Sequence, residues 1–386
     1  MRHLVAALTG LTLLLAGCTS DGESSSAAAA KRPATWSVNV EDGAQDVPVD
    51  TLVEAAVDGG SIGDLELTPV GEGEPIEGEG SQAAWRATER LEPGTEYVLT
   101  GSARGADGAD ALLKHRFRTV ELSLDELTYP SVAPLAGETV GVGMPVIVSF
   151  DIPVQDRALF EEHMEVRSEP AVEGAWHWLS DSVVHYRPKE FWPAGTEVTV
   201  DLDLNSLPAG NGVYGQQDQQ VPFRIGREVV TTVDIAAHTL SMSIDGALQR
   251  TIPVSTGKPG HETRAGTKVI MEKFDAVDMD AASTGVSEDD ADYYDISDVQ
   301  WAMRVTNSGE FLHAAPWSVG SQGRENVSHG CVGMSTADAK WVYDRSKRGD
   351  VVRFVNSGRP LEPHNGWTDW NIDWSDWTAG SALSSS

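Results

Sequence analysis

One phrase occurs twice in this chain, and its surroundings constrain the fold more than any other feature. Leu91-Glu-Pro-Gly-Thr-Glu-Tyr97 and Trp192-Pro-Ala-Gly-Thr-Glu-Val198 each precede a closing β-prone run, Arg116-Phe-Arg-Thr119 and Pro222-Phe-Arg-Ile225 respectively. In both copies the glycine offers the backbone a residue that accepts positive φ just before a strand starts. Short β-prone runs precede each phrase, among them Trp36–Val40 in the first half and Pro145–Phe150 and Val183–Arg187 in the second. Long helical periods are rare, so the chain reads as mainly β.

This spacing fits two antiparallel sandwiches of immunoglobulin-like type, over 36–121 and 122–227. Neither stretch gathers His, Cys, Asp and Ser in a way that predicts catalysis, so both read as spacers. Trp176 and Trp178 share one strand face. They fit a core pair better than a glycan platform. With only two cysteines in 386 residues, apolar cores rather than disulfides must hold every domain.

Each cysteine sits in a motif. Leu4–Ala16 is an apolar run too short to span a bilayer, and it ends in Leu15-Ala16-Gly17-Cys18. Residues 1–17 therefore read as a signal peptide, and Leu-Ala-Gly-Cys resembles the bacterial lipobox. That resemblance implies acylation of Cys18 and a lipid-anchored chain facing the extracytoplasmic cell-wall space, with acyl chains contributing about 0.8 kcal/mol per buried CH₂. Residues 18–35 are small and polar, a flexible tether. The net charge of −31 excludes nucleic acid and adsorption to anionic headgroups, both of which require a basic face.

From Glu228 the texture changes. Val229–Ala236, Thr239–Asp245 and Leu248–Thr256 read as successive strands, followed by Gly266–Met271. Asp275–Asp298 is acidic and without apolar period, and departs from the calcium-loop pattern. It reads as a solvated, mobile flap. A strand running from near Trp301 is expected to end at Glu310-Phe-Leu-His313, and Ala314–Val327 then separates His313 from Ser328-His-Gly-Cys331.

A cysteine attacks as thiolate, and an imidazole within reach can take its proton and later return it to a leaving amine. Amides beside Cys331 are placed to bind an oxyanion. Ser335-Thr-Ala-Asp338 reads as a cap for a helix over Ala337–Lys347, stopped by Gly349, which puts the nucleophile at a strand-to-helix transition where the helix N-terminus favours the thiolate. By itself a His and a Cys at this spacing also fits a core pair without chemistry.

The wording of the run from His313 to Cys331 goes further. It resembles the signature of L,D-transpeptidases with a YkuD-type catalytic domain, and the likeness continues through Pro253–Pro259, Lys340–Asp344, Lys347–Val352 and Trp370–Trp374. The order lipobox, two immunoglobulin-like domains, catalytic domain (228–356) and Trp-rich segment (357–386) is similar to the actinobacterial lipoprotein class, over nearly the full chain.

The resemblance implies a β-sandwich catalytic domain with one principal helix after the nucleophile. Cys331 is then the nucleophile and His313 its general base and acid, with the Ala314 carbonyl orienting the imidazole. His329, Ser328 and Gly330 shape the nucleophile loop, with the Gly330 backbone at the oxyanion. Ser308 and Gly309 line the donor groove, and Tyr294 and Met279 contact substrate from the flap. The family usually has Asn or Arg where this chain has Gly333.

The implied reaction joins peptidoglycan stem peptides 3→3 and releases the terminal D-alanine of a tetrapeptide donor. Donor and acceptor stems are the partners, carbapenem-type β-lactams the inhibitors, and a monomer the default state. Neither metal nor organic cofactor is implied. Hydrolysis or D-amino-acid exchange on the same acyl-enzyme, or an inactive wall-binding lipoprotein, are the alternatives. Trp370, Trp374 and Trp377 recur at helix-like steps, and the resemblance favours a buried staple over a sugar-stacking face.

Overall fold

The computed structural model describes residues 32–284, 286–290 and 292–385. The signal peptide, Cys18 and most of the tether lie outside the described residues.

Two β-sandwiches come first. In one, a sheet of Thr35–Val38, Glu54–Asp58, Ala84–Ala87 and Gly78–Gly80 faces a sheet of Gly60–Pro69, Glu96–Gly105 and Asp110–Arg118. Val53, Leu67, Leu91, Tyr97, Leu99 and Phe117 fill the space between them. In the next, Thr139–Val140, Gln219–Ile225, Glu197–Leu202 and Met164–Glu169 face Gly174–Trp178, Val183–Pro188, Val146–Phe150 and Pro130–Ala133. Strict alternation explains this: Val198, Val200 and Leu202 point inward while the residues between them do not. The repeated glycines do as their turns require, with φ +60° at Gly94 and +81° at Gly195. Trp176 and Trp178 are core residues, and their indole N–H groups donate to the Met164 carbonyl and Glu161.

The catalytic-domain segment forms two further sheets. One orders Ala247–Pro253, Thr239–Ile244, Val229–Asp234, Val351–Val355 and Gly266–Val269; the other orders Glu272–Asp280, Asp295–Arg304, Phe311–Ala314 and Val332–Met334. Thr336–Arg345 packs as a helix against the second sheet. The Ser335 hydroxyl accepts from the Asp338 amide at 3.1 Å and caps it. The helix ends at Arg345 rather than Lys347, and Gly349 (φ +86°) sits in the turn after its cap.

Two sequence expectations need correction. The strand expected to run from Trp301 to His313 is two antiparallel strands, with Met303 opposite Leu312 and Arg304 opposite Phe311. The turn between them passes through Gly309 at φ +86°, a left-handed position that suits glycine. The 275–298 stretch is also not a structureless loop. Its two ends belong to paired strands, Glu272–Asp280 with Asp295–Arg304, because Phe274, Val277, Met279, Tyr294, Ile296 and Val299 cluster over Phe311 and Cys331. A register shift between Val277 and Met279 hides this face from any period-two reading.

The C-terminal segment crosses back to the second sandwich. Trp377 is fully buried, stacks on His177 at 4.6 Å and donates to the Ala175 carbonyl. The Arg187 guanidinium lies over the rings of Trp370, Trp374 and Trp377 at 4.6–5.3 Å, and His185 pairs with Asp369 beneath them. Val351 of the catalytic sheet belongs to the core of the second sandwich, and backbone bonds run from Gly141 to Arg348 and from Gly143 to Gly349.

Candidate active site

The second catalytic sheet brings histidine and cysteine together. Phe311–Ala314 runs parallel to Val332–Met334 with His313 opposite Gly333. Residues two apart along a strand share a face, so Cys331 and His313 point to the same side. Both line a cavity of about 190 Å³ together with Met279, Tyr294, Trp317, Ser328, His329 and Gly333.

Buried His313 has one ring nitrogen fixed. Its Nδ1 lies 2.8 Å from the Ala314 carbonyl, an acceptor, so Nδ1 carries the proton and Nε2 keeps its lone pair. Burial holds the imidazole below its usual pKa, with the Ala314 hydrogen bond partly opposing. Such a ring is neutral at pH 7 and able to accept a proton. The Trp317 ring stacks over it at 5.9 Å.

Cys331 departs from the expected thiolate. Burial beneath the flap pushes the thiol up to about 12; the Phe311 amide and the charges of Lys268 and Arg304 pull the other way, while Glu310 adds to the rise. Its Sγ lies 3.5 Å from the Gly309 carbonyl, which favours the protonated form. The strand Val332–Met334 intervenes before the helix, and the macrodipole fades within its first turn. The resting site is therefore a neutral thiol beside a neutral imidazole.

The Ser328 hydroxyl bridges the nucleophile loop, donating to the Cys331 carbonyl at 2.6 Å and accepting from the Gly330 amide at 3.1 Å. The Gly330 N–H is engaged within the loop in this arrangement. Gly330 adopts φ +128°, and its carbonyl accepts from the Thr263 hydroxyl at 2.7 Å. The Ser308 amide and hydroxyl bond Asn365 of the C-terminal segment. Gly309 reaches the site through its carbonyl. Gly333 lies in a strand, and a Cβ built there would meet the Ala315 Cβ at 2.9 Å.

Sequence reading missed the charged support below the nucleophile. Fully buried Lys268 pairs with buried Glu310, whose other oxygen takes Arg264 at 3.0 Å. Burial lowers the Lys268 pKa and the Glu310 charge opposes that. The signal was available in Gly266-Thr-Lys-Val269, where the lysine occupies an inward position of a short strand. Thr263 carried no signal.

Two family models match the chain, a bacterial Ig domain over residues 44–208 and an L,D-transpeptidase catalytic domain over 228–354. L,D-transpeptidase 2 of Mycobacterium tuberculosis (strain CDC 1551 / Oshkosh) is 38% identical over 348 residues, covering 89% of this chain and 84% of the relative. L,D-transpeptidase 5 of Mycobacterium tuberculosis (strain ATCC 25618 / H37Rv) is 38% identical over 306 residues, covering 77% and 65%. The solved structure of the L,D-transpeptidase LdtMt1 in complex with imipenem superposes with a TM-score of 0.52 at 36% identity, over 58% of this chain and 97% of that one. Fold and site thus define a cysteine acyltransferase on a β scaffold. The chain belongs to the L,D-transpeptidase family, and it is an enzyme of that activity.

Proposed function

We propose that this L,D-transpeptidase forms 3→3 links between peptidoglycan stems through a Cys331 acyl-enzyme. The carrying observation is a His313 whose bare Nε2 shares a cavity with the Cys331 thiol. Donor binding brings the carbonyl at the L-centre of the third stem residue, diaminopimelate, to Sγ. Nε2 takes the thiol proton as the C–S bond forms, and the oxyanion is held by backbone amides around Cys331. Collapse breaks the amide to the terminal D-alanine, whose nitrogen leaves with the imidazolium proton. The side-chain amine of a second stem then attacks the thioester, giving its proton to His313 and restoring the thiol. Met279 and Tyr294 of the flap cover the donor, and Ser328 and His329 hold the loop.

A carbapenem acylates the same sulfur by opening its lactam ring. The lipobox supports anchoring at Cys18 on the extracytoplasmic side, with the two sandwiches as spacers. A disaccharide-tetrapeptide incubated with the protein should yield dimers by mass spectrometry, and Cys331→Ala should yield none. Dimer at parental level from that variant would reject the assignment, and tripeptide without dimer would make the enzyme a carboxypeptidase. Cys18→Ala should release the protein from the membrane fraction.

A further inference from the structure

Beside the nucleophile lies a group of side chains that the reaction does not use in full. His261 comes from the loop after the Ala247–Pro253 strand, Asp292 from the flap, and His329 from the nucleophile loop. Their ligand atoms lie within 4.8 Å of one another. His261 Nε2 and Asp292 Oδ2 are 2.9 Å apart, and His329 Nε2 is 3.4 Å from Asp292 Oδ1. His329 Nε2 is shut off from solvent and makes no hydrogen bond among the described residues. The two imidazoles meet edge to face at 4.9 Å, and Tyr294 leans on His329 from the flap side.

We propose that His261, Asp292 and His329 form a binding site for a divalent transition ion of the zinc class, and that the ion locks the flap over Cys331. Two imidazoles and one carboxylate are the donor set that such ions take, with a position left for water. Lys258 already holds Asp292 Oδ1 at 2.5 Å, so the ion takes Oδ2. It replaces the proton shared between His261 Nε2 and Oδ2, and binding therefore releases a proton. The orphaned His329 nitrogen supplies the third bond. Because the ligands come from three segments, the ion ties flap, loop and nucleophile together and hinders donor entry. The sequence implies no metal here, since the acidic run departs from the calcium-loop pattern and the family resemblance carries none.

The test uses the full chain carrying Cys331→Ala, so that the catalytic thiol is not a ligand. Zn²⁺ titrated against a chromophoric chelator should show a site that His261→Ala and, separately, Asp292→Asn weaken at least about tenfold, roughly the loss expected on removing a ligand. Matching circular dichroism would show that both variants are folded. In the Cys331 parent, Zn²⁺ should slow carbapenem acylation, a chelator should restore it, and His261→Ala should be resistant. Equal binding by parent and both variants would overturn the proposal. So would inhibition of the parent with no zinc uptake by Cys331→Ala, because the ion would then sit on the nucleophile.

Discussion

The resting ionisation of Cys331 yields the sharpest quantitative prediction. Burial under Met279, Val299 and Phe311 raises the thiol from its ordinary 9.0 to about 12, a thousandfold loss of thiolate and about 4 kcal/mol against its formation. At pH 7 about one molecule in 10⁵ carries a free thiolate. The rate of alkylation by iodoacetamide, followed by intact mass, should therefore rise about tenfold per pH unit from 6 to 9 without a plateau. Met279→Ala removes part of the lid, lets water reach Sγ, and should accelerate alkylation at pH 7.5 by about tenfold while the slope persists. Acylation by a carbapenem should also rise with pH, but less steeply, because His313 removes the proton within the complex. A plateau with a midpoint near pH 6–7 in alkylation of the free enzyme would refute the reasoning. It would mean that a thiolate–imidazolium pair already exists before substrate binds.

Other consequences can be checked by thermal unfolding. Burial raises Asp350 to about 7 from its ordinary 3.8, so the folded chain binds the proton more tightly than the unfolded one. Stability from this group is complete below about pH 4 and is lost as pH rises through about 7, at a cost of roughly 4 kcal/mol. Asp350→Asn should thus raise Tm more at pH 8 than at pH 5, and an equal change at both would contradict this. Trp377→Ala should cost about 3–5 kcal/mol and expose the C-terminal segment to limited proteolysis; an unchanged digestion pattern would count against the clamp. Gly333→Asn should cost about 1–3 kcal/mol by crowding Ala315. Adding Ala315→Gly should recover part of that loss, whereas purely additive costs would show the two positions to be uncoupled.

Much of this was legible because it is written locally. The paired Pro-x-Gly-Thr turns, the alternating strands, the Ser335 cap and the His313–Cys331 run each reside in a few consecutive residues. What escaped depends on tertiary contact. Lys268 lies on the Gly266–Val269 strand and Glu310 just before the Phe311–Ala314 strand, and they become partners only when the sheets close. The flap hairpin was hidden by its bulge, whereas the turn at Gly309 was written in Thr306-Asn-Ser-Gly309 and was read through. The pKa of Cys331 follows from what covers it, which no spacing between His and Cys reveals. The bond between Ser308 and Asn365, from the C-terminal segment, is likewise a tertiary contact that no local motif shows.

The C-terminal clamp has a mechanical meaning. Relative motion between domains is the default where their interface is small and polar. Between the second sandwich and the catalytic domain it is neither, since Val351 enters the sandwich core and the tryptophans close over Arg187. The junction between the two sandwiches is a different kind of contact, made of Arg90, Leu91 and Glu92 meeting Asp203, Asn205 and Ser206. Bending is therefore expected at the polar joint, with the second sandwich and the catalytic domain moving together. The cavity mouth would then hold its angle to the second sandwich while the first sandwich swings.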